Sequence, residues 1–261
     1  MSPTLDLSIS NGVAHVELTR PEQSNSFDLP AARAFADAIR SIELDSEVRV
    51  VLLTGAGKRF CAGGDIASMI AAEDKSAYLQ ELADVLDSAL QRLDSLPKSV
   101  VVAVQGAVAG AGLGVMLAGD LIVAERATKF VTGYAGIGLT PDCGVSWLLP
   151  RAVGQQRALQ LILEQSVIDG DQALSWGLVT EVVEDDAQGR ARELAELLAA
   201  GPSYALGQAR RLLRSSWSGD RATSGADESR TIAAAIATPD AIALVAKFAA
   251  PPTAHESGSR R

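Results

Sequence analysis

The sequence predicts an α/β fold on a largely parallel sheet, and three features predict it: an N-terminal stretch alternating with period two, two buried β-branched runs each leading into glycines, and helical spacing between and after them. Leu5-Asp6-Leu7-Ser8-Ile9 and Ala14-His15-Val16-Glu17-Leu18 alternate across Asn11-Gly12, the short-range signature of a β-hairpin. Leu29 to Leu44 places apolar residues at helical spacing, and Val48 to Thr54 is a strand ending in Gly55. The glycine-bearing stretch from Gly55 to Asp65 is read as loop, and Ala77 to Leu96 as a long amphipathic helix stopped by Pro97. Val100 to Val104 forms a second buried strand, Gly106 to Gly114 leads into Val115-Met116-Leu117-Ala118, and residues 121–124 and 129–131 read as short strands. After Pro141 the pattern is mostly helical, over about 144–163, 169–176, 187–200, 202–216 and 224–248, with Val179 to Val183 as a late strand and a frayed tail from Pro251.

Length and composition narrow the function classes. At 261 residues, 48% hydrophobic and 21% charged, the chain can bury a full core, and no repeat or linker marks a domain break. A net charge of −9 argues against a nucleic-acid partner, whose phosphates demand a basic face. The two cysteines, Cys61 and Cys143, lack metal-ligand spacing and point to a reducing compartment; no metal or redox cofactor is implied. Met1 to Asp6 has no signal-peptide pattern, and no window reaches the roughly 18 apolar residues of a membrane span. The chain is therefore expected to be soluble and cytoplasmic, with no membrane partner.

Two strands run straight into glycine-rich turns that open helices: the first at Gly63-Gly64-Asp65, the second at Gly110-Ala111-Gly112. Such junctions expose backbone N–H groups able to hold an anion or a developing oxyanion. Close packing of helix on sheet would also use small residues there. Neither turn carries a dinucleotide fingerprint or a Walker A lysine. Cys61 lacks a His or Lys neighbour to activate it, and the carboxylate beside Cys143 works against thiolate formation, so both thiols read as small core side chains. Asp142, in Thr140-Pro141-Asp142-Cys143-Gly144, reads locally as an N-cap for the next helix.

Phe60-Cys61-Ala62-Gly63-Gly64-Asp65-Ile66, then Gly106 to Gly112 with Asp120, then Gly138 to Gly144 with Leu149-Pro150-Arg151, resemble the crotonase superfamily of enoyl-CoA hydratases and isomerases. Arg20-Pro21 with Asn25-Ser26-Phe27, and Ala173 to Val183, fit it as well, so the likeness runs from about residue 5 to about 250. The resemblance implies a spiral of ββα units over residues 1–199, followed by a helical oligomerisation region over 200–261. It further implies an acyl-CoA thioester whose carbonyl oxygen is held by the amides of Gly64 and Ala111, and a homotrimer or dimer of trimers. Coenzyme A would lie along Ser24, Asn25 and Ser26 and along Ala62, Gly63, Gly64, Asp65 and Ile66, and it is part of the substrate, not a cofactor. Lys247 and Phe248 would reach the coenzyme A of a neighbouring subunit, although the family's Phe-x-x-Lys spacing is not kept.

The hydratases of this family use two glutamates to hold water, and the matching positions are Gly114 and Tyr134. Neither does acid–base work on water at neutral pH. Asp142, with Trp147 and Leu149-Pro150-Arg151 after it, is instead similar to the isomerase branch, where one carboxylate shifts a proton; Tyr134, Val145 and Trp147 are expected to wall its acyl pocket. Three alternatives stand beside isomerisation. One is hydration by a non-standard mechanism. A second is hydrolysis like that of the aryl-CoA dehalogenases, which need a histidine where Asp87 stands here, while His15 and His255 lie elsewhere in the chain. The third is acyl-CoA binding without chemistry.

Overall fold

In the computed structural model the described residues run from 4 to 250. β1 (Leu5–Ser10) and β2 (Val13–Leu18) pair antiparallel with Leu7 opposite Val16, turned at Asn11 and Gly12, both at positive φ. α1 (Leu29–Leu44) begins at Asp28, whose carboxylate accepts the Ala31 amide at 2.8 Å. β3 (Val50–Gly55) follows, then α2 (Ile66–Ala71), α3 (Lys75–Ser95), β4 (Ser99–Val104), β5 (Ala107–Ala109) and α4 (Ala111–Leu117). β6 (Leu121–Glu125) and β7 (Lys129–Val131) lead to α5 (Val145–Val153), α6 (Gln155–Leu163), α7 (Gly170–Trp176) and β8 (Glu181–Val183). The chain continues with α8 (Ala187–Ala199), α9 (Ser203–Ser215), α10 (Arg221–Ala235) and α11 (Pro239–Ala249).

The main sheet has the order β1-β2-β3-β4-β6-β8, and every pairing after the hairpin is parallel; β5 and β7 form a second, two-stranded parallel sheet. Period-two alternation splits the central strands between two cores. Val51, Leu53, Val100 and Val102 face the layer with α1 and α3, whereas Val50, Leu52, Val101 and Ala103 face α8. α8 lies close to the sheet because Ala187, Ala191, Ala195 and Ala199 present one stripe of methyl groups, all buried. α3 buries Leu82, Leu86, Ala89, Leu90 and Leu93, the stripe its sequence pattern predicts.

Four local features differ from the sequence reading. The expected helix over 144–163 is broken at Gly154, whose φ of 85° and ψ of 155° are not helical. The expected helix over 224–248 begins earlier, at Arg221, and is broken before Pro239; Thr238 caps the second piece and the two axes bend by 80°. α2 and β5 are additional elements of six and three residues, too short for a periodic signal. The late strand starts at Glu181, because the Thr180 amide and hydroxyl already bond the Ile122 carbonyl, ahead of the ladder.

α9 is tied to the sheet by charge. Arg210, 6% exposed, donates to Asp120 at 2.7 Å and to the carbonyls of Asp94 and Leu96. Arg214 reaches the other Asp120 oxygen at 3.2 Å, and the Val100 amide donates to the first at 2.7 Å. Asp120 thus joins β4, β6 and α9. No single helix among the described residues is long and apolar enough to cross a membrane. The tail from Pro251, with His255, lies outside the described residues.

Candidate active site

The site grows from the two glycine-rich turns. Ser24 and Asn25 both adopt left-handed φ of 55°, a conformation that asparagine tolerates and that its side chain here locks in place. Asn25 accepts from the Arg20 amide at 2.9 Å and donates to the carbonyls of Ala56 and Arg59 at 2.9 and 2.8 Å. Phe27 then bridges Gly64 in parallel: its amide donates to the Gly63 carbonyl and its carbonyl accepts the Asp65 amide, each at 2.8 Å. In that pattern the amide of Gly64 itself turns away from Phe27.

The second turn docks directly on the first. Cys61 bridges Val108, with the Ala109 amide donating to the Cys61 carbonyl at 3.0 Å. Gly110 has φ 51° and ψ −128°, open to glycine, and delivers Ala111 as the first residue of α4, where the amide has no partner within the helix. A Cβ on Gly63 would stand 2.9 Å from the Ala109 carbonyl and 3.3 Å from the Ala111 amide nitrogen, so only glycine lets the turns approach this closely. Gly64 and Ala111 line one cavity of about 380 Å³, walled by Phe27, Met69, Leu82, Leu86, Ile137 and Leu139.

Asp142 lines the same cavity and is its only acid among the described residues. Its Oδ1 accepts the Tyr134 hydroxyl at 2.8 Å. The N-cap reading of Asp142 does not hold: α5 starts after Gly144, at φ 74°, with no side-chain cap. Burial and the neighbouring Asp142 carboxylate push the Tyr134 phenol far above its ordinary range, so it stays a proton donor. Burial raises the Cys143 thiol likewise, and raises Cys61 to about 12, so neither is a nucleophile at neutral pH.

The Gly114 position is closed by its surroundings. A Cβ there would come within 2.4 Å of the Cys143 carbonyl oxygen, so the turn carrying Asp142 fills the space into which a longer side chain would project.

Gly64, Ala111, Asp142, Tyr134, Ala62 and Ile66 thus come together around one cavity. Asn25, Ser26, Gly63 and Asp65 act behind it. Asp65 caps α2 through the Ser68 amide and, with Ser26, takes up Arg20, which donates to the Ser26 carbonyl at 2.6 Å and to Asp65 at 3.0 Å. Burial alone would raise the Asp65 carboxyl; the Ser68 amide and the Arg20 guanidinium outweigh it and hold the group below its ordinary range. Ser24 accepts from the exposed guanidinium of Arg59 at 2.9 Å beside this edge.

Trp147 and Val145 do not wall the acyl cavity. Trp147 is 50% exposed with Arg151 stacked 3.3 Å over its ring, and lines a neighbouring cavity; Val145 is buried in the core below. Sequence reasoning took Arg20 only as part of a motif; its adjacency to Asp28 and Asp65 exists only in three dimensions. His15 is held by Thr54 at 2.8 Å on the sheet, away from Asp142, and Asp87 lines the neighbouring cavity. Among the described residues no three His, Cys, Asp or Glu side chains group as a metal site.

This architecture is a crotonase fold, and comparison with known proteins gives the family. A profile described as enoyl-CoA hydratase/isomerase matches residues 8–242, and the chain belongs to that family within the crotonase superfamily. It is 38% identical over 213 residues to 1,2-epoxyphenylacetyl-CoA isomerase of Escherichia coli, covering 79% of this chain and 80% of the relative. It is 36% identical over 180 residues to trans-2-decenoyl-[acyl-carrier-protein] isomerase of Streptococcus mutans, covering 68% of each. The crystal structure of an enoyl-CoA hydratase/isomerase from Cupriavidus metallidurans superposes with TM-score 0.84 at 32% identity, over 96% of this chain and 97% of that one.

Proposed function

We propose that the protein shifts a carbon–carbon double bond in an unsaturated acyl-CoA thioester. The amides of Gly64 and Ala111 bind the thioester oxygen, and Asp142 takes a proton from one carbon and returns it to another. The observation that carries this reading is one cavity lined by both Gly64 and Ala111, with Asp142 as its single carboxylate among the described residues. Proton removal drives charge onto the thioester oxygen, and fixed donors in an apolar cavity stabilise that charge without reorganisation. One carboxylate suffices for a proton shift, whereas hydration by paired glutamates needs two, and the Gly114 site has no room for one. Two relatives are named as isomerases, and another, from Rhodobacter capsulatus and 36% identical over 207 residues, as a probable enoyl-CoA hydratase.

Coenzyme A would run from the cavity toward Ser24 and the Ala62–Ile66 edge. The region from residue 200 would complete a homotrimer or a dimer of trimers. α10 and α11 bury none of their residues and leave Ile232, Ile236, Ile242 and Phe248 exposed, which favours cover by other copies of the chain. Two unpaired, buried thiols suit the reducing cytoplasm.

The test is a panel of 2-enoyl, 3-enoyl and aryl CoA esters followed by product mass. An unchanged mass with a moved double bond is expected; gain of one water would replace isomerisation by hydration. Asp142→Ala is expected to lower turnover by about 10²–10⁴ while CoA-ester affinity stays close to wild type. Wild-type binding without turnover on any ester would favour a binding subunit instead.

A further inference from the structure

Behind Asp142 lies a second cavity, of about 570 Å³. It meets the acyl cavity at Ala83, Asp142 and Cys143, so the carboxylate stands in the wall between them. The two spaces differ in chemistry. The acyl side is lined by Phe27, Met69, Leu82 and Leu139 with Asp142 as its one acid, whereas the rear side sets Asp84, Asp87, Asp94 and Ser146 among apolar residues such as Leu90 and Leu148. Its volume is many times the roughly 30 Å³ that a water occupies, and its polar groups offer the partners that held water requires. A polyanionic coenzyme A is repelled by Asp84 and Asp87 and cannot use this mouth, whereas the same charges favour a hydrated proton. Asp94 is paired with Arg214 at 2.8 Å and Asp87 bonds Gln91 at 2.5 Å, so both are held in the wall.

We propose that the rear cavity is the proton-exchange route of Asp142: water there takes the proton removed from the acyl carbon and supplies another before the carboxyl reprotonates the chain. The inference rests on the double-bond-shift reading. In atoms, the substrate C–H bond breaks, its electron pair moves into the enolate and the proton goes to a carboxylate oxygen. The carboxyl O–H then passes that proton to cavity water and takes one back from solvent, and the new C–H bond forms from it. The net reaction is still a shift of the double bond, with one hydrogen exchanged. Tyr134 occupies Oδ1 from the acyl side, which leaves the rest of the carboxyl group to serve both cavities.

The experiment follows the full-length protein acting on a 3-enoyl-CoA in D2O, with deuterium counted per molecule of shifted product at low conversion. This ratio does not depend on how much of a preparation is folded. Wild type is expected to give close to one deuteron per turnover. Asp87→Leu from α3 and Ser146→Leu from α5 fill the rear cavity from two walls, and each is expected to lower the ratio at least about threefold. Shifted product without deuterium in wild type, or full exchange in both filled variants, overturns the route while isomerisation stands. If no double bond moves, isomerisation itself fails. A saturated acyl-CoA in the same D2O then decides the route: α-deuterium uptake lost in Asp142→Asn and reduced in the filled variants supports it, and no uptake overturns it.

Discussion

Asp142 and Tyr134 divide the work at the reacting end of the cavity. The hydroxyl 2.8 Å from Oδ1 orients the carboxylate. Tyr134→Phe removes that donor and frees the carboxylate to rotate, so kcat is expected to fall while CoA-ester affinity stays close to wild type; an unchanged kcat would leave the bond without a role. Because burial raises the Tyr134 phenol, its own ionisation adds no alkaline limb near pH 10. The same buried groups set the stability of the protein in base. Cys61, Cys143 and Tyr134 keep protons in the folded state that the unfolded chain has already released. Their raised values make stability fully present below the ordinary thiol range and lost as pH rises toward about 12, the Cys61 value. Urea midpoints measured from pH 8 upward are expected to fall, and Cys61→Ala, though less stable at neutral pH, is expected to fall less steeply.

At the scale of elements, the site depends on turns that must come close without touching through side chains. Gly63 permits contact between the two turns, and Arg20 binds the Ser26 carbonyl, Asp28 and Asp65 so that the Phe27 bridge to Gly64 is held from behind. The sheet beneath requires α8 to sit near it, which the alanine stripe allows. Ala191→Leu puts three further carbons where the methyl group is fully buried, and is expected to cost about 1–3 kcal/mol by overpacking. A lower denaturant midpoint with an unchanged m-value is the check. Only the longer elements had a readable pattern: the 21 residues of α3 repeat their apolar stripe over several turns, whereas α2 and β5, at six and three residues, are too short to repeat one.

For the whole molecule, the split between a packed spiral and an open pair of helices has a direct consequence. α11 exposes Ile242, Leu244, Val245 and Phe248, the last 93% exposed, a surface large enough to be covered in an assembly. Sedimentation equilibrium is expected to give three or six times the subunit mass, and Phe248→Asp together with Ile242→Asp is expected to shift the population toward smaller species. A monomeric wild type at micromolar concentration would sink the trimer.

The sequence by itself determined the fold class and the two glycine-rich turns, because periodicity and turn chemistry are local and survive in one dimension, and its motifs resembled one family. It did not reveal that Tyr134 is bound to Asp142, that Trp147 stands outside the acyl cavity under Arg151, or that Arg20 joins Asp28 and Asp65. Nor did it reveal the two spaces that meet at one carboxylate. Those relations join residues brought near only when α3, α5 and the turns pack, and packing directions are not written in spacing along the chain.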